Sequence, residues 1–150
     1  MIREYNLTEA MGFAHINLNE VDPQGKSPAE GEVLQFVVTK AAKSEWSNDN
    51  GSGECLDFTF TVTNSDSFSG RNFYTRMFPD KEGGKNPTAR RLRILRDATG
   101  VSQTGDVEAL CEALVNQRAE FKAPVQLGRQ REGGPAPKME VNLWKAEPIS

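Results

Sequence analysis

Leu56-Asp57-Phe58-Thr59-Phe60-Thr61-Val62-Thr63 is the stretch that decides the fold. Leu56, Phe58, Phe60 and Val62 fall on one side of an extended chain, and Asp57, Thr59, Thr61 and Thr63 on the other. A strict period of two with one greasy and one polar side marks a strand half buried in an antiparallel sheet. On its N-terminal side a strand begins at Glu32, where Leu34, Phe36 and Val38 alternate with Gln35, Val37 and Thr39 before Lys40 and Lys43. The turn-forming run from Trp46 to Gly53 predicts the connection between these two strands. On its C-terminal side a short turn, Asn64 to Gly70, leads to a third strand from Arg71 to Phe78. Phe73, Thr75 and Met77 share one face of that strand; Tyr74, Arg76 and Phe78 share the other.

The period then changes. Asn86 is a good N-cap, Pro87 suits the first helical position, and Gly100 suits the stop. Between them Leu92, Leu95 and Ala98 form an apolar stripe, with Arg90, Arg93 and Arg96 set opposite it. A short second helix is predicted at about 106–115. Two strands follow, one carrying Phe121, Ala123, Val125 and Leu127, the other Met139, Val141 and Leu143. The basic, Gly- and Pro-rich loop from Gly128 to Pro137 joins them. Three strands, helix, two strands is the order of the mainly β, five-stranded Greek-key OB barrel, whose helix lies between strands three and four. Residues 1–31 read as an N-terminal arm or leading strand, 32–145 as the OB domain, and 146–150 as a short tail.

The 150 residues make one ordinary domain. Leu, Ile, Val and Phe form about a fifth of them, just above the range of disordered chains. No run is long enough to span a bilayer, and residues 1–20 lack the apolar core of a secretory signal. Cys55 and Cys111 stand far apart, which predicts two reduced thiols in a cytoplasmic protein. His15 is the single histidine. Net charge is −3, but unevenly spread: −7 over 1–70, +5 over 71–131 and −1 over 132–150. This argues against indiscriminate polyanion binding and permits a localised anion-binding face.

Enzyme signatures fail. Gly25-Lys26-Ser27 resembles the end of a P-loop, but Glu20 stands where the first glycine belongs. Asn48-Asp49-Asn50-Gly51 faintly resembles a calcium loop, but its first ligand position would be Trp46 and its last Asp57. No nucleophile elbow and no His or Cys pair is present, so neither catalysis, nor a metal, nor a cofactor is expected.

Sequence-tolerant binding to single strands needs cations along the phosphates and flat rings for the bases. Tyr74, Arg76 and Phe78 offer both on one strand face. A buried, unpaired Arg76 would be very costly, so its face is expected to be wet or occupied by an anion. Trp46, in its polar surroundings, reads either as a stacking platform or as a ring folded back on the barrel. Lys40 and Lys43 lead towards it, and Lys122, Arg129 and Arg131 are candidate phosphate contacts across the groove. Trp144 reads equally as exposed or as covering the barrel end. Arg90, Arg93 and Arg96 read as a solvated helix face, or as a surface for a wrapped strand or second subunit.

Several of these features together resemble a phage family of predicted single-stranded-DNA-binding proteins, catalogued as a domain of unknown function. They are the Pro28-to-Glu32 entry and the Gly-rich connection before Leu56-x-Phe58-x-Phe60-x-Val62. The Gly70-to-Tyr74 strand, Leu92-x-x-Leu95-x-x-Ala98-x-Gly100 and Phe121-x-Ala123-x-Val125 complete the pattern. The resemblance covers about three quarters of the chain. It implies a role in phage or prophage replication and recombination, with single-stranded DNA and the proteins of those modules as partners. Trp144 to Ser150 is no acidic recruitment tail, so partner recruitment of that kind is not expected. The alternative is an adaptor OB domain that docks proteins through its edges. A barrel with open edges often dimerises, so a homo-oligomer fits either reading.

Overall fold

β1 (Val33–Asn48) is the spine of the molecule and pairs on both sides. The computed structural model describes residues 27–101, 103–128, 133 and 137–149. The other elements are β2 (Gly51–Val62), β3 (Asn72–Met77), α1 (Pro87–Thr99), α2 (Val107–Asn116), β4 (Glu120–Leu127) and β5 (Met139–Val141). A single 3-10 turn, Leu143–Lys145, follows. The five strands form an antiparallel sheet in the order β3-β2-β1-β4-β5. The fold is mainly β, with two helices between β3 and β4.

The sheet does not close into a barrel. β3 and β5 are its edges; their Cα atoms approach within 8 Å, yet they share no ladder. Both are short, and a pocket of about 120 Å³ lined by Tyr74, Arg76, Glu140 and Trp144 lies between them. The N-terminal arm lies outside the described residues up to Lys26. Its last residues are tied to β4: the Gly31 amide donates to the Val125 carbonyl at 2.7 Å, and the Leu127 amide to Glu30 at 2.8 Å. The tail is tied too, since Glu147 and Lys122 exchange both backbone hydrogen bonds.

The connection predicted from Trp46 to Gly53 is instead mostly ladder. β1 and β2 stay paired out to Asn48 and Gly51, where Asn48 Oδ1 accepts from the Asn50 amide at 2.7 Å. A side-chain bond of this kind mimics a backbone turn, and Gly51 takes the positive φ of 147° that a Cβ would oppose. The polar composition marked an exposed hairpin arm rather than a loop.

A bulge interrupts β1 between Val38 and Lys40. One extra residue on one strand reverses which side chains point inward. Leu34, Phe36 and Val38 face the core; past the bulge the inward positions become Ala41 and Lys43, opposite Phe58 and Leu56. Thr39, the extra residue, donates to the Thr59 carbonyl and meets the Thr61 hydroxyl at 3.0 Å.

The core is an aromatic cluster under α1 and α2. Phe36 stacks on Phe121 at 5.5 Å and meets Phe73 edge-on at 5.6 Å; Phe60 meets Phe121 edge-on at 5.3 Å. Leu92, Leu95 and Ala98 cover it from α1, as their spacing predicts, and Leu110, Cys111 and Leu114 from α2. Arg96 departs from the predicted solvated row. It lies four residues after Leu92, on the flank of the buried stripe, and donates to the Thr104 carbonyl at 3.1 Å.

Asn86 holds the N-cap position of α1 as predicted and its carbonyl accepts from the Arg90 amide at 3.1 Å, but its φ is 55° and its side chain makes no cap bond. Asp80 does the capping from the preceding loop, accepting from the Thr88 and Ala89 amides, each at 2.9 Å. Partial desolvation opposes the charge at Asp80, but those amides outweigh it and hold the carboxyl below its ordinary pKa. A depressed carboxyl stabilises the fold above its unfolded pKa of about 4, and that contribution is lost as pH falls through the folded value. Asp80→Ala is therefore expected to lower the melting temperature by about 2–8 °C at pH 7 and by less at pH 3. Circular dichroism melts at the two pH values check this; an equal deficit at both would remove the charge from the account.

Candidate nucleic-acid interface

The outer face of β3 carries Tyr74, Arg76 and Phe78 in one row, because Phe73, Thr75 and Met77 are drawn inward opposite Phe60, Phe58 and Leu56. Tyr74 is 70% exposed and Phe78 49%, values expected of rings that the core does not use. β2 lays Thr61, Thr59 and Asp57 beside that row, opposite Asn72, Tyr74 and Arg76. β1 adds Lys40, opposite Thr59, and Trp46, opposite Gly53.

Trp46 is half-buried. Its ring lies over Gly53, where a Cβ would come within 3.0 Å of the indole Nε1, and it meets Phe78 edge-on at 6.1 Å and 86°. Cys55, opposite Ser44 in the register, is buried. So the indole is laid on the sheet, the blander of its two sequence readings, but on the same face as Tyr74 and Phe78 and still partly open to solvent.

Arg76 has an anion of its own. Its Nε donates to Asp57 Oδ1 at 2.7 Å and its terminal nitrogen to Oδ2 at 3.2 Å, a two-pronged pair across neighbouring strands. The hydrogen bond from Arg76 is the main reason Asp57 is held below the usual carboxylate range, and Lys40 adds to it. The Arg76 side chain nevertheless remains about half exposed.

The remaining candidates separate. Lys43 is turned to the opposite face by the bulge and lies between Glu54, at 3.2 Å, and Glu108, at 3.8 Å. Lys40 and Lys43 are three positions apart, an odd separation, so a regular strand places them on opposite faces. Lys122 sits opposite Gln35, on the outer side of β4, about 35 Å of strand away from Trp46. Arg129 and Arg131 lie outside the described residues. Arg90 and Arg93 are exposed on α1, Arg93 reaching Asp97 at 4.0 Å.

Two residues join the site that the sequence did not assign to it. Trp144 is 48% exposed and lines the small pocket beside Tyr74 and Arg76. Arg91 reaches over it, its guanidinium carbon 6.0 Å from the ring centroid. Arg91 follows Thr88 by three and precedes Leu95 by four, which places it on the edge of the buried stripe; that spacing was the available signal. The face thus offers Tyr74, Phe78, Trp46 and Trp144 with Arg76, Arg91 and Lys40 interleaved.

Neither a family model nor a curated protein matches the chain. Among the described residues no helix is long and apolar enough to cross a membrane.

Proposed function

We propose that the chain is a single-stranded-DNA-binding protein of OB type. The observation that carries this is the row Tyr74–Arg76–Phe78, rings and cation exposed together on one face of a rigid sheet. Strand order and the near approach of β3 to β5 suit a partly open five-stranded barrel, in which oligonucleotides cross strands two and three. Bases stack on Tyr74, Trp144 and the open parts of Trp46 and Phe78, and Arg76, Arg91 and Lys40 neutralise phosphates. Lys122 extends the path along β1, and Arg129 and Arg131 remain candidate phosphate contacts by their charge. Such contacts read rings and backbone, so binding is without strong sequence preference. The resemblance to the phage family points to DNA replication or recombination in the host cytoplasm, with single-stranded DNA as partner and no chemistry performed.

The test is a titration of a fluorescent thirty-nucleotide oligo-dT, beside a duplex of equal length, at low and moderate salt. Single-strand binding should weaken with salt at a logarithmic slope of about −0.7 per phosphate neutralised, with tryptophan quenching. No binding at low salt would sink the reading.

Asp57 competes with phosphate for Arg76, and this also favours the second reading, an adaptor surface whose central cation is already satisfied. The two separate cleanly. If Arg76 meets phosphate, Asp57→Asn should tighten oligo-dT binding by about two- to fivefold. Unchanged affinity in the same titration would take Arg76 out of the interface.

A further inference from the structure

The other side of the sheet holds a groove of about 750 Å³ between the inner ends of β1 and β2 and the two helices. It opens beyond the bulge in β1, where the inward side chains change character. Upstream, the inward positions carry Leu34, Phe36 and Val38; downstream they carry Ala41, too small to reach the helices, and Lys43. Leu56, Met77, Leu92 and Cys111 are left lining an apolar floor. Val107, 40% exposed, stands at its rim, and Phe78, just past the end of β3, borders both the groove and the outer face.

The rim is acidic. Glu54, Asp80, Asp106, Glu108 and Glu112 line the groove, and Lys43 is the single cation among the lining residues described. Asp80 and Asp106 cap α1 and α2, and Lys43 is held between Glu54 and Glu108. The surplus of negative charge surrounds an apolar trough of a size usual for binding sites.

We propose that this acid-rimmed groove docks a basic, amphipathic segment of a partner protein. Apolar residues on one face of the segment would occupy the floor, and flanking Lys or Arg would meet Glu54, Glu108 and Glu112. Charge selects this occupant over the chain's own first 26 residues, which carry a net −2. Nucleic acid is excluded from this side by the same carboxylates, so the two faces divide the work: DNA on one, protein on the other.

The probe is a fluorescein-labelled fourteen-residue peptide of Leu and Lys, with Leu at helical spacing, read by anisotropy against the full chain. A Leu/Glu peptide of the same pattern is the control. The basic peptide should bind at least tenfold tighter than the acidic one. Ala41→Phe, which fills the floor, and Glu108→Lys/Glu112→Lys, which reverses the rim, should each weaken it tenfold or more. Asp66→Lys/Glu120→Lys, the same charge change elsewhere, should leave it within about twofold, and oligo-dT binding should not weaken in any rim variant. Equal binding by rim and distant variants would overturn the proposal. So would a tenfold gain in peptide affinity when Phe13, Ile16 and Leu18 are replaced by serine, which would give the groove to the chain's own arm. Self-association abolished by Glu108→Lys/Glu112→Lys would give it to a second copy, and overturn the proposal likewise.

Discussion

Replacing Phe36 with alanine is expected to cost about 3–5 kcal/mol of folding stability, the usual range for a fully buried phenylalanine. Phe36 has no exposed surface and touches the rings of Phe60, Phe73 and Phe121, which belong to three other strands. Its loss removes contacts to β2, β3 and β4 together, and the rigid strands around it cannot collapse into the space. Against a total of about 5–15 kcal/mol for a domain, that loss leaves little in hand. Urea unfolding followed by tryptophan fluorescence should show the midpoint fall with the slope unchanged. A loss under about 1 kcal/mol would mean that the cluster does not hold the sheet together.

The second large effect is on binding. Tyr74→Ala is expected to weaken oligo-dT binding by about 5–150-fold, the equivalent of one stacked base. Tyr74 is 70% exposed, so the same change should shift stability by no more than about 0.5 kcal/mol. Tyr74→Trp should keep the affinity, because any flat ring offers a face. This pattern of loss on truncation, retention on aromatic exchange and unchanged melting separates a stacking platform from a surface ring. Wild-type affinity in Tyr74→Ala would move the DNA off β3.

Features set by local chemistry were legible in the sequence. The alternation of Leu56 to Val62, the stripe of Leu92, Leu95 and Ala98 and the glycine after α1 each depend on residues within one turn or one strand. Features that depend on register across strands were not. That Asp57 faces Arg76 requires knowing that Thr59 faces Tyr74, and nothing in either strand alone states it. Asp80 caps α1 from outside the stretch in which a cap is normally sought, and Asn86 stood where the usual pattern puts it. The hairpin out to Asn48 was hidden by its polar composition, since both its faces are largely solvated. Trp46 was read as loop for that reason, although it belongs to the same sheet face as Tyr74. Element order says nothing of whether the last two edges meet, so the missing ladder between β3 and β5 was not legible.

The bulge at Thr39 makes the length of β1 matter more than its lettering. Substitutions along Lys40 to Trp46 change one side chain each. Deleting a single codon between Lys40 and Lys43 would shift every position beyond it: Trp46 would rotate to the helix side, and Lys43 would emerge beside Asp57. The residues needed for both surfaces would all still be present, and those beyond the deletion would be addressed to the wrong one. The chain therefore stores part of its function as a count, and it is more exposed to insertion and deletion at this strand than its composition reveals.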